Sequence, residues 1–313
     1  MIYTVTLNPA LDYTIQAEHL SLGKINRTQR EHLFAGGKGI NVTCVLKELG
    51  IDSCALGFIA DFTGEQLRSM LEKKGILTKF IHVQEGMTRI NVKIKSDEET
   101  EINGMGPLIQ QADFAALCHQ ISTLNEEDIL VLSGSIPSCM PSDTYEIMMQ
   151  QLQNKNVHVV VDAEKKLLLK VLAYHPFLIK PNKEELAEIF NTCIANDEDI
   201  IEHARKLQKL GARNVLVSMA SEGSLLLDEH GHIHRMGTAN GILLNSVGAG
   251  DSMVAGFLAG WLTTKDYQKA LLLGTACGGA TAFSHGLASH AFINEILEQL
   301  SIKNQISTGG LLK

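Results

Sequence analysis

The sequence predicts an α/β fold, in which a mostly parallel central sheet is covered by helices on both faces and a small β-sheet forms a lid. Short apolar segments alternate with longer segments of helical periodicity over most of the 313 residues. Strands that alternate with helices pair in parallel and are buried on both faces, which accounts for their apolar character. Two segments instead alternate polar and apolar residues, as half-exposed strands do, and these predict the lid.

Seven apolar segments are the predicted strands of the central sheet. Each is short and rich in β-branched residues or leucine, which is typical of buried strands. The segments are 2–7, 54–59, 129–133, 157–162, 177–180, 214–218 and 224–228.

Helical periodicity occupies the intervals between these strands. The sequence after Asp251 is predicted to be almost entirely helical. The earlier predicted helices are 39–49, 64–74, 111–124, 142–153, 183–190 and 197–210.

The predicted lid comes from residues of about 12–34 and 86–104. In the second segment Ile90, Val92 and Ile94 alternate with polar side chains, and residues 96–99 (SDEE) provide the hairpin turn. We expect one α/β domain over 1–313 with this lid inserted in sequence. The polar-edged strands of the lid suggest that it joins two copies of the chain as a homodimer.

Composition and charge argue against nucleic acid and membranes as partners. The chain has 27 basic and 35 acidic side chains, a net charge of −8, and no basic block. Its six cysteines form no C-x-x-C pair, which favours free thiols in a reducing compartment. The N-terminus lacks the features of a signal peptide, and no apolar stretch is long enough to cross a bilayer. We therefore expect a cytoplasmic protein.

The segment 245–252 (NSVGAGDS) is the first candidate site. Its glycines precede an apolar helix, and the free amides at a helix N-terminus attract phosphate groups. Asp251 follows directly and could accept a proton. Phosphoryl transfer to an alcohol requires both a base and dipolar groups around the moving phosphoryl group. The amides of residues 247–250 and Asp251 would supply these two functions.

Two further clusters precede predicted helices. Residues 36–42 (GGKGINV) combine three glycines with Lys38 and Asn41, although a plain glycine-rich turn would explain them equally well. Residues 180–185 (KPNKEE) place Asn182 at a helix N-cap with Glu185 three positions later. That pair forms either an ordinary capping box or a contact with nucleotide phosphates and a metal-bound water.

Several common sites are absent from the sequence. Neither Gly-Lys pair, at 23–24 or at 37–38, completes a Walker A motif, and no G-x-G-x-x-G follows the first strand. The histidines of residues 229–235 (EHGHIHR) are interpreted as part of a hairpin rather than as a metal site. Ser133 lies outside any G-x-S-x-G context, so a hydrolase is not indicated.

These three clusters, in this order and spacing, resemble the ribokinase-like sugar kinases of the phosphofructokinase-B family. The segments TVTLNPALD, SGSIP and TRINVKIK narrow the likeness to members that phosphorylate fructose 1-phosphate and to the tagatose-6-phosphate kinases. The likeness covers nearly the whole chain. It departs from the family pattern at Asn245 and Ser246, where D-T is frequent, and at Ala60 and Asp61, where two glycines are frequent.

The resemblance implies a role for each matching residue. Asp251 would be the catalytic base, and Gly248, Ala249 and Gly250 would form the anion hole. The implied sugar-phosphate ligands are Asp12, Lys24, Arg27, Gly37, Lys38, Asn41, Arg89 and Ser135. The implied nucleotide ligands are Lys180, Asn182, Ser218, Ser221, Glu222, Gly223, Val247 and Gly250, with Glu185 contacting Mg²⁺ through water.

The expected activity is ATP- and Mg²⁺-dependent phosphorylation of fructose 1-phosphate to fructose 1,6-bisphosphate. Kinases of tagatose 6-phosphate or fructose 6-phosphate are the alternatives within the same class. Arg89, Lys24 and Arg27 disfavour an unphosphorylated sugar or nucleoside as substrate, because such cations suit an existing phosphate. A non-catalytic sugar-phosphate sensor is the alternative outside enzymes, and Asp251 argues against it.

Overall fold

The computed structural model describes residues 1–306, 308–309 and 311. The strands of this part of the chain are, in order, β1 (Ile2–Thr6), β2 (Ala10–Gln16), β3 (Arg30–Gly36), β4 (Ser53–Ile59), β5 (Leu77–Thr78), β6 (Ile81–His82), β7 (Arg89–Lys95), β8 (Thr100–Asn103), β9 (Ile129–Ser133), β10 (His158–Asp162), β11 (Leu178–Ile179), β12 (Asn214–Ser218), β13 (Ser224–Leu227) and β14 (Ile233–Met236).

The helices surround the central sheet. They are α1 (Lys38–Glu48), α2 (Asp61–Lys73), α3 (Gln111–Ser122), α4 (Thr144–Gln150), α5 (Lys165–Val171), α6 (Lys183–Ile189), α7 (Asp197–Lys209), α8 (Ala249–Thr264), α9 (Tyr267–Ala282) and α10 (His290–Asn304), with short 3₁₀ helices at Leu172–Tyr174 and Ala220–Glu222. Within the described ranges, none of them combines the length and hydropathy that crossing a membrane requires.

The central sheet is parallel except at one edge, as predicted. Its strand order is β14-β13-β12-β11-β10-β9-β1-β4-β5, and β6 also pairs with β4. Strands β12, β13 and β14 pair antiparallel, and the other strand pairs are parallel. The carboxyl ends of all the parallel strands therefore lie together, along what we call the carboxyl edge of the sheet. Ligands bind at this edge in open α/β sheets.

Alternate residues of β9, near the centre of the sheet, pack into two separate cores. Leu130 and Leu132 of β9 belong to the core covered by α3–α7. Ile129 and Val131 belong to the opposite core, which is formed with α1, α8, α9 and α10. Burial on both faces explains why the strand sequences are continuously apolar.

The lid is a separate sheet with the strand order β3-β2-β7-β8. Strands β2 and β7 pair in parallel, which places Asp12 opposite Asn91. The turn between β7 and β8 falls on residues 96–99, as predicted. The first lid segment is longer than predicted, because β2 begins at Ala10 and β3 ends at Gly36.

Three short elements were not predicted. Strands β5 and β6 contain two residues each, which is too short to show any periodicity. Helix α5 has seven residues, which is about two turns. Helical periodicity becomes clear only over about 11 to 18 residues, which is three turns or more.

Candidate active site

The carboxyl edge of the central strands carries a row of polar side chains. The residues of β9 and β10 that face α1 and α8 are apolar at Val131 and Val160 and become polar at the strand ends, Ser133 and Asp162. Thr6 ends β1 in the same way. This edge forms one wall of a cavity of about 480 Å³. Its lining residues are Thr6, Leu7, Asn8, Asp12, Gly37, Lys38, Asn41, Arg89, Asn91, Ser133, Gly134, Ser135, Asp162, Glu164, Lys180, Asn182, Glu185, Ser218, Ser246, Val247, Gly248, Gly250 and Asp251.

Helix α1 begins directly over this edge because its first turn is built from glycine. A Cβ added to Gly39 would lie 2.6 Å from Thr6 Oγ1, so a larger residue would push the helix away from β1. The close approach brings Lys38 and Asn41 to the cavity wall.

Helix α8 begins with a turn that only glycine adopts readily. Gly248 is the N-cap with φ of 82°, in the left-handed region, and a Cβ there would lie 2.9 Å from Leu287 Cδ2. The Val247 amide donates to Asn245 Oδ1 at 3.0 Å, and the Ala249 amide donates to the Ser246 carbonyl at 3.3 Å.

Two of the four predicted amides therefore remain for an anion. Among the described residues, the amides of Gly248 and Gly250 have no hydrogen-bond partner. Both glycines line the cavity. Free amides at a helix N-terminus, with the helix dipole behind them, form an anion site.

Asp251 lies beside this anion site. Its carboxyl group is 5% exposed, lines the cavity, and accepts a hydrogen bond from Asn41 Nδ2 at 2.8 Å. Burial and the charge of Asp162 raise the pKa of Asp251 to about 6, while Asn41, Lys38 and Lys180 oppose that shift. A carboxyl group with such a pKa is ionised at neutral pH and is a stronger base than an exposed aspartate.

Two lysines place positive charge at the same wall. Lys38 Nζ lies 3.6 Å from Asp162 Oδ2, and Lys180 Nζ lies 3.4 Å from Asp162 Oδ1. Burial acts to lower the pKa of Lys38, but the charges of Asp162, Asp251 and Glu185 outweigh it and the pKa is raised. Lys38 therefore carries its charge at neutral pH.

The lid contributes a carboxylate and a guanidinium group to the cavity. Asn91 Nδ2 donates to Asp12 Oδ1 at 2.9 Å, and Lys93 Nζ lies 3.7 Å from Asp12 Oδ2. Arg89 Nε donates to the Asn8 carbonyl at 3.1 Å. Burial lowers the pKa of Arg89, and the charge of Asp12 opposes this effect. The cavity is therefore lined by Arg89 of the lid and by Lys38 and Lys180 beside the start of α8, all of which carry positive charge.

The predicted capping box at the start of α6 is present and faces the cavity. The Asn182 amide donates to Glu185 Oε2 at 2.8 Å, and the Glu185 amide donates to Asn182 Oδ1 at 2.6 Å. No group of three or more His, Cys, Asp or Glu side chains that could hold a metal occurs in the described residues. This donor set fits a Mg²⁺ ion that is held mainly by phosphates and water, with Glu185 contacting it through water.

The structure brings most of the predicted site residues together. From the predicted sugar-phosphate and nucleotide ligands, the cavity includes Asp12, Gly37, Lys38, Asn41, Arg89, Ser135, Lys180, Asn182, Glu185, Ser218, Val247 and Gly250. Gly248 and Asp251 complete the set at α8.

Six predicted residues lie outside the cavity lining. Lys24 and Arg27 are exposed in the long connection between β2 and β3 and are not among the lining residues. Ser221, Glu222 and Gly223 belong to the turn between β12 and β13, where Glu222 pairs with Lys183 instead. Ala249 has its amide occupied by the Ser246 carbonyl.

Sequence reasoning missed several cavity residues, of which Asp162 is the most buried carboxylate. The polar ends of apolar strands were the available signal for Thr6, Ser133 and Asp162. The missed lining residues are Thr6, Leu7, Asn8, Asn91, Ser133, Gly134, Asp162, Glu164 and Ser246.

Known proteins resemble this chain over nearly its whole length. The family described as pfkB family carbohydrate kinase matches residues 5–292. The chain is 45% identical over 302 residues to 1-phosphofructokinase of Bacillus subtilis (strain 168), a match that covers 96% of this chain and 99% of that protein. It is 36% identical over 303 residues to D-tagatose-1-phosphate kinase of Bacillus licheniformis, with coverage of 96% and 99%.

The fold is also found in solved structures. A crystal structure of a phosphofructokinase candidate from Staphylococcus aureus superimposes with a TM-score of 0.88 and 43% sequence identity. The superposition covers 96% of this chain and 97% of that chain. The predicted ribokinase-like fold class is therefore confirmed.

Proposed function

Because this chain belongs to the pfkB family of carbohydrate kinases, we propose that it transfers the terminal phosphoryl group of ATP to fructose 1-phosphate, forming fructose 1,6-bisphosphate. The observation that carries this proposal is one cavity that joins the free amides of Gly248 and Gly250, the buried carboxyl group of Asp251 and the guanidinium group of Arg89. The substrate is taken from the relative named 1-phosphofructokinase, which matches over nearly its full length.

Asp251 acts as the general base in this proposal. It removes the proton of the sugar hydroxyl as that oxygen forms a bond to the terminal phosphorus of ATP. The bond from this phosphorus to the bridging oxygen breaks, and ADP leaves with the electron pair. Asn41 fixes the carboxylate through its hydrogen bond of 2.8 Å.

The moving phosphoryl group is stabilised by fixed positive charge. The amides of Gly248 and Gly250 point to it from the start of α8, and Lys38 and Lys180 add ammonium groups at the same wall. Preorganised groups of this kind are usually the largest contribution to such catalysis. Mg²⁺, contacted by Glu185 through water, would neutralise charge on the ATP oxygens.

Arg89 binds the phosphate that the sugar already carries. It lies on the lid and lines the same cavity as Asp251, so a bound phosphosugar would place its phosphate at Arg89 and its reacting hydroxyl at Asp251. Within one chain Lys24 and Arg27 do not reach the cavity, so we assign the phosphate to Arg89 alone.

A panel of phosphosugars with coupled ADP detection tests the proposal. We expect the largest kcat/KM with fructose 1-phosphate, compared with tagatose 1-phosphate, tagatose 6-phosphate, fructose 6-phosphate and free fructose. Tagatose 1-phosphate is the second candidate, because a relative of 36% identity is named D-tagatose-1-phosphate kinase. Preference for free fructose, or no ADP with any phosphosugar, would contradict the proposal.

The lid also supports association of two copies. A groove between its outer face and α2 is lined by the apolar residues Leu11, Tyr13, Leu33, Phe62 and Ile90 and by six polar or charged residues of α2, and Phe62 is 67% exposed. Apolar surface of this kind is usually covered by a partner. We propose that a second copy covers it, and that each chain acts as one α/β domain with its lid.

The cytoplasm is the proposed site of action. All six cysteines are unpaired, and Cys44, Cys54 and Cys277 are buried. Free thiols suit a reducing compartment, which is also where ATP is abundant.

A further inference from the structure

Asp162 lies between two lysine side chains in the wall of the cavity. Its side chain is 3% exposed, and each carboxylate oxygen faces a different ammonium group, Oδ1 facing Lys180 and Oδ2 facing Lys38. The proposed chemistry has so far used both lysines but has given no role to the carboxylate between them.

The two lysines come from different elements and reach the same wall of the cavity. Lys38 is the first residue of α1 and its side chain is 41% exposed, whereas Lys180 follows β11 and its side chain is 6% exposed. A Cβ added to Gly250 would lie 3.1 Å from Lys180 Nζ, so this ammonium group lies against the turn that holds the free amides. Two flexible cations this close repel each other unless an anion separates them.

Asp162 is itself held in place by its surroundings. Its carbonyl accepts a hydrogen bond from the Gly134 amide at 3.1 Å, and the Gly134 carbonyl accepts one from the buried hydroxyl of Tyr145 at 2.9 Å. The charged or titratable groups that face the Asp162 carboxylate are Lys38 of α1, Lys180 after β11, Asp251 of α8 and Tyr145 of α4.

We infer that Asp162 is a positioning residue that fixes Lys38 and Lys180 beside the transferring phosphoryl group. The inference rests on the proposed function, because it assigns the lysines to that group.

Asp162→Asn removes the charge and keeps the shape of the side chain. We expect kcat to fall roughly 100-fold, the effect of losing one preorganised group, while KM for the phosphosugar changes by less than about threefold. The acid limb of the pH profile should move to lower pH, because the charge of Asp162 is one of the two causes that raise the pKa of Asp251.

Asp52→Asn is the matched control. Asp52 also faces a lysine, Lys47, but the Asp52 side chain is 74% exposed. Loss of its charge should leave kcat unchanged.

Three outcomes would overturn the inference. The first is an unchanged kcat in Asp162→Asn. The second is full recovery of kcat at high Mg²⁺ concentration, which would make Asp162 a metal ligand. The third is an unchanged titration of the Lys38 ammonium group, followed by NMR after ¹³C methylation, since the Asp162 charge raises the pKa of Lys38 and its loss should lower it.

The Lys38 titration requires no turnover, so it separates this inference from the proposed function. If the wild-type protein makes no ADP with any phosphosugar, the proposed function fails and the titration still decides the role of Asp162. If Asp162→Asn does not fold, Asp162→Glu takes its place. It keeps the charge but moves it by one methylene, so kcat should fall while the acid limb stays near its wild-type position.

Discussion

At the scale of single residues, the environment of Asp251 makes it suitable as a base. The carboxyl group is buried at the start of α8 and is close enough to Asp162 to feel its charge, yet it keeps one hydrogen bond from Asn41. Burial and like charge disfavour the ionised form, so the carboxylate holds a proton more readily than an exposed one. The burial that makes the Asp251 carboxylate more basic therefore also makes its ionised form unfavourable in the folded protein.

The pH dependence of turnover follows from this environment. The pKa of Asp251 is raised from 3.8 to about 6, so the base becomes protonated as the pH falls through that value. We expect kcat/KM with fructose 1-phosphate to fall about tenfold per pH unit below 6. Initial rates between pH 4.5 and 8 measure this limb, and a rate that is constant down to pH 5 would argue against Asp251 as the base.

Asp251→Asn should separate catalysis from stability. We expect turnover to be lost, by roughly 10²–10⁴-fold for removal of a general base, while ATP and phosphosugar still bind. The folded protein binds the Asp251 proton more tightly than the unfolded chain, so this group stabilises the fold at low pH and loses that effect as the pH rises from 3.8 to about 6. At pH 7 the melting temperature of the variant should therefore equal or exceed that of the wild type. Full activity, or a large decrease in melting temperature, would contradict this account.

Residues that stand in recognisable motifs were predictable from the sequence, and residues outside any motif were not. Gly248, Asn41 and Asp251 stand in segments whose composition already indicates a phosphate site. Asp162 ends an apolar strand without any motif around it, and its role depends on Lys38 and Lys180, which are 124 and 18 positions away in the sequence. Only the strand order, which places β10 between β9 and β11, brings these groups together.

At the scale of elements, the lid supplies the part of the cavity to which we assign the phosphate of the phosphosugar. Strands β2 and β7 pair in parallel, so Asp12 and Arg89 enter the cavity from the same sheet. The alternation that predicted these strands also placed Arg89 and Asn91 on one face, and both line the cavity.

Arg89→Ala should weaken use of phosphosugars specifically. Loss of a hydrogen bond to a charged group costs about 1.5–3 kcal/mol, so kcat/KM for fructose 1-phosphate should fall roughly 10- to 150-fold. Most of the change should be in KM for the phosphosugar, with KM for ATP little changed. Arg205→Ala, an exposed arginine on α7, is the matched control. An equal loss in both variants, or a loss confined to KM for ATP, would place the phosphate elsewhere.

The hairpin of β13 and β14 contains a buried polar cluster on Asp228. Asp228 Oδ1 accepts the amides of His230 and His232 at 2.9 Å each, and Oδ2 faces His234 Nε2 at 2.9 Å. Burial acts to raise the pKa of Asp228, but the hydrogen bonds from the histidines outweigh it and the pKa is lowered. The predicted hairpin is thus observed, and its histidines close the turn around one carboxylate.

Asp228→Asn should destabilise the protein without changing its kinetics. Loss of a buried charged hydrogen-bond acceptor costs about 1.5–3 kcal/mol. Because the folded pKa is lowered, the stabilisation by Asp228 is present at neutral pH and is lost as the pH falls below 3.8, the ordinary value. Urea unfolding at pH 7 measures the difference. Asp97→Asn, in the exposed pair with His19, is the control and should change stability by less than about 0.5 kcal/mol.

At the scale of the whole molecule, the sequence predicted the architecture because burial acts on many residues at once. The seven predicted strands and six predicted earlier helices all occur, with their ends shifted by up to three residues. Helix ends fray and their caps depend on local contacts, so such shifts are normal. The sequence did not reveal how the long connection between β2 and β3 lies, because exposed connections have few buried contacts to constrain them.

The last prediction concerns assembly of two copies through the lid. The outer groove is lined by Tyr13 and Phe62, and burial of an exposed aromatic side chain contributes about 1.5–3 kcal/mol. A charge at the centre of such an interface would be desolvated without a partner, so Phe62→Glu should convert a dimer to a monomer. Sedimentation velocity at several concentrations measures this change. Ile302→Glu, which introduces the same charge at an 80% exposed position of α10, should leave the dimer intact. A wild-type protein that is monomeric at micromolar concentration, or dissociation by Ile302→Glu alone, would show that the lid does not form the interface.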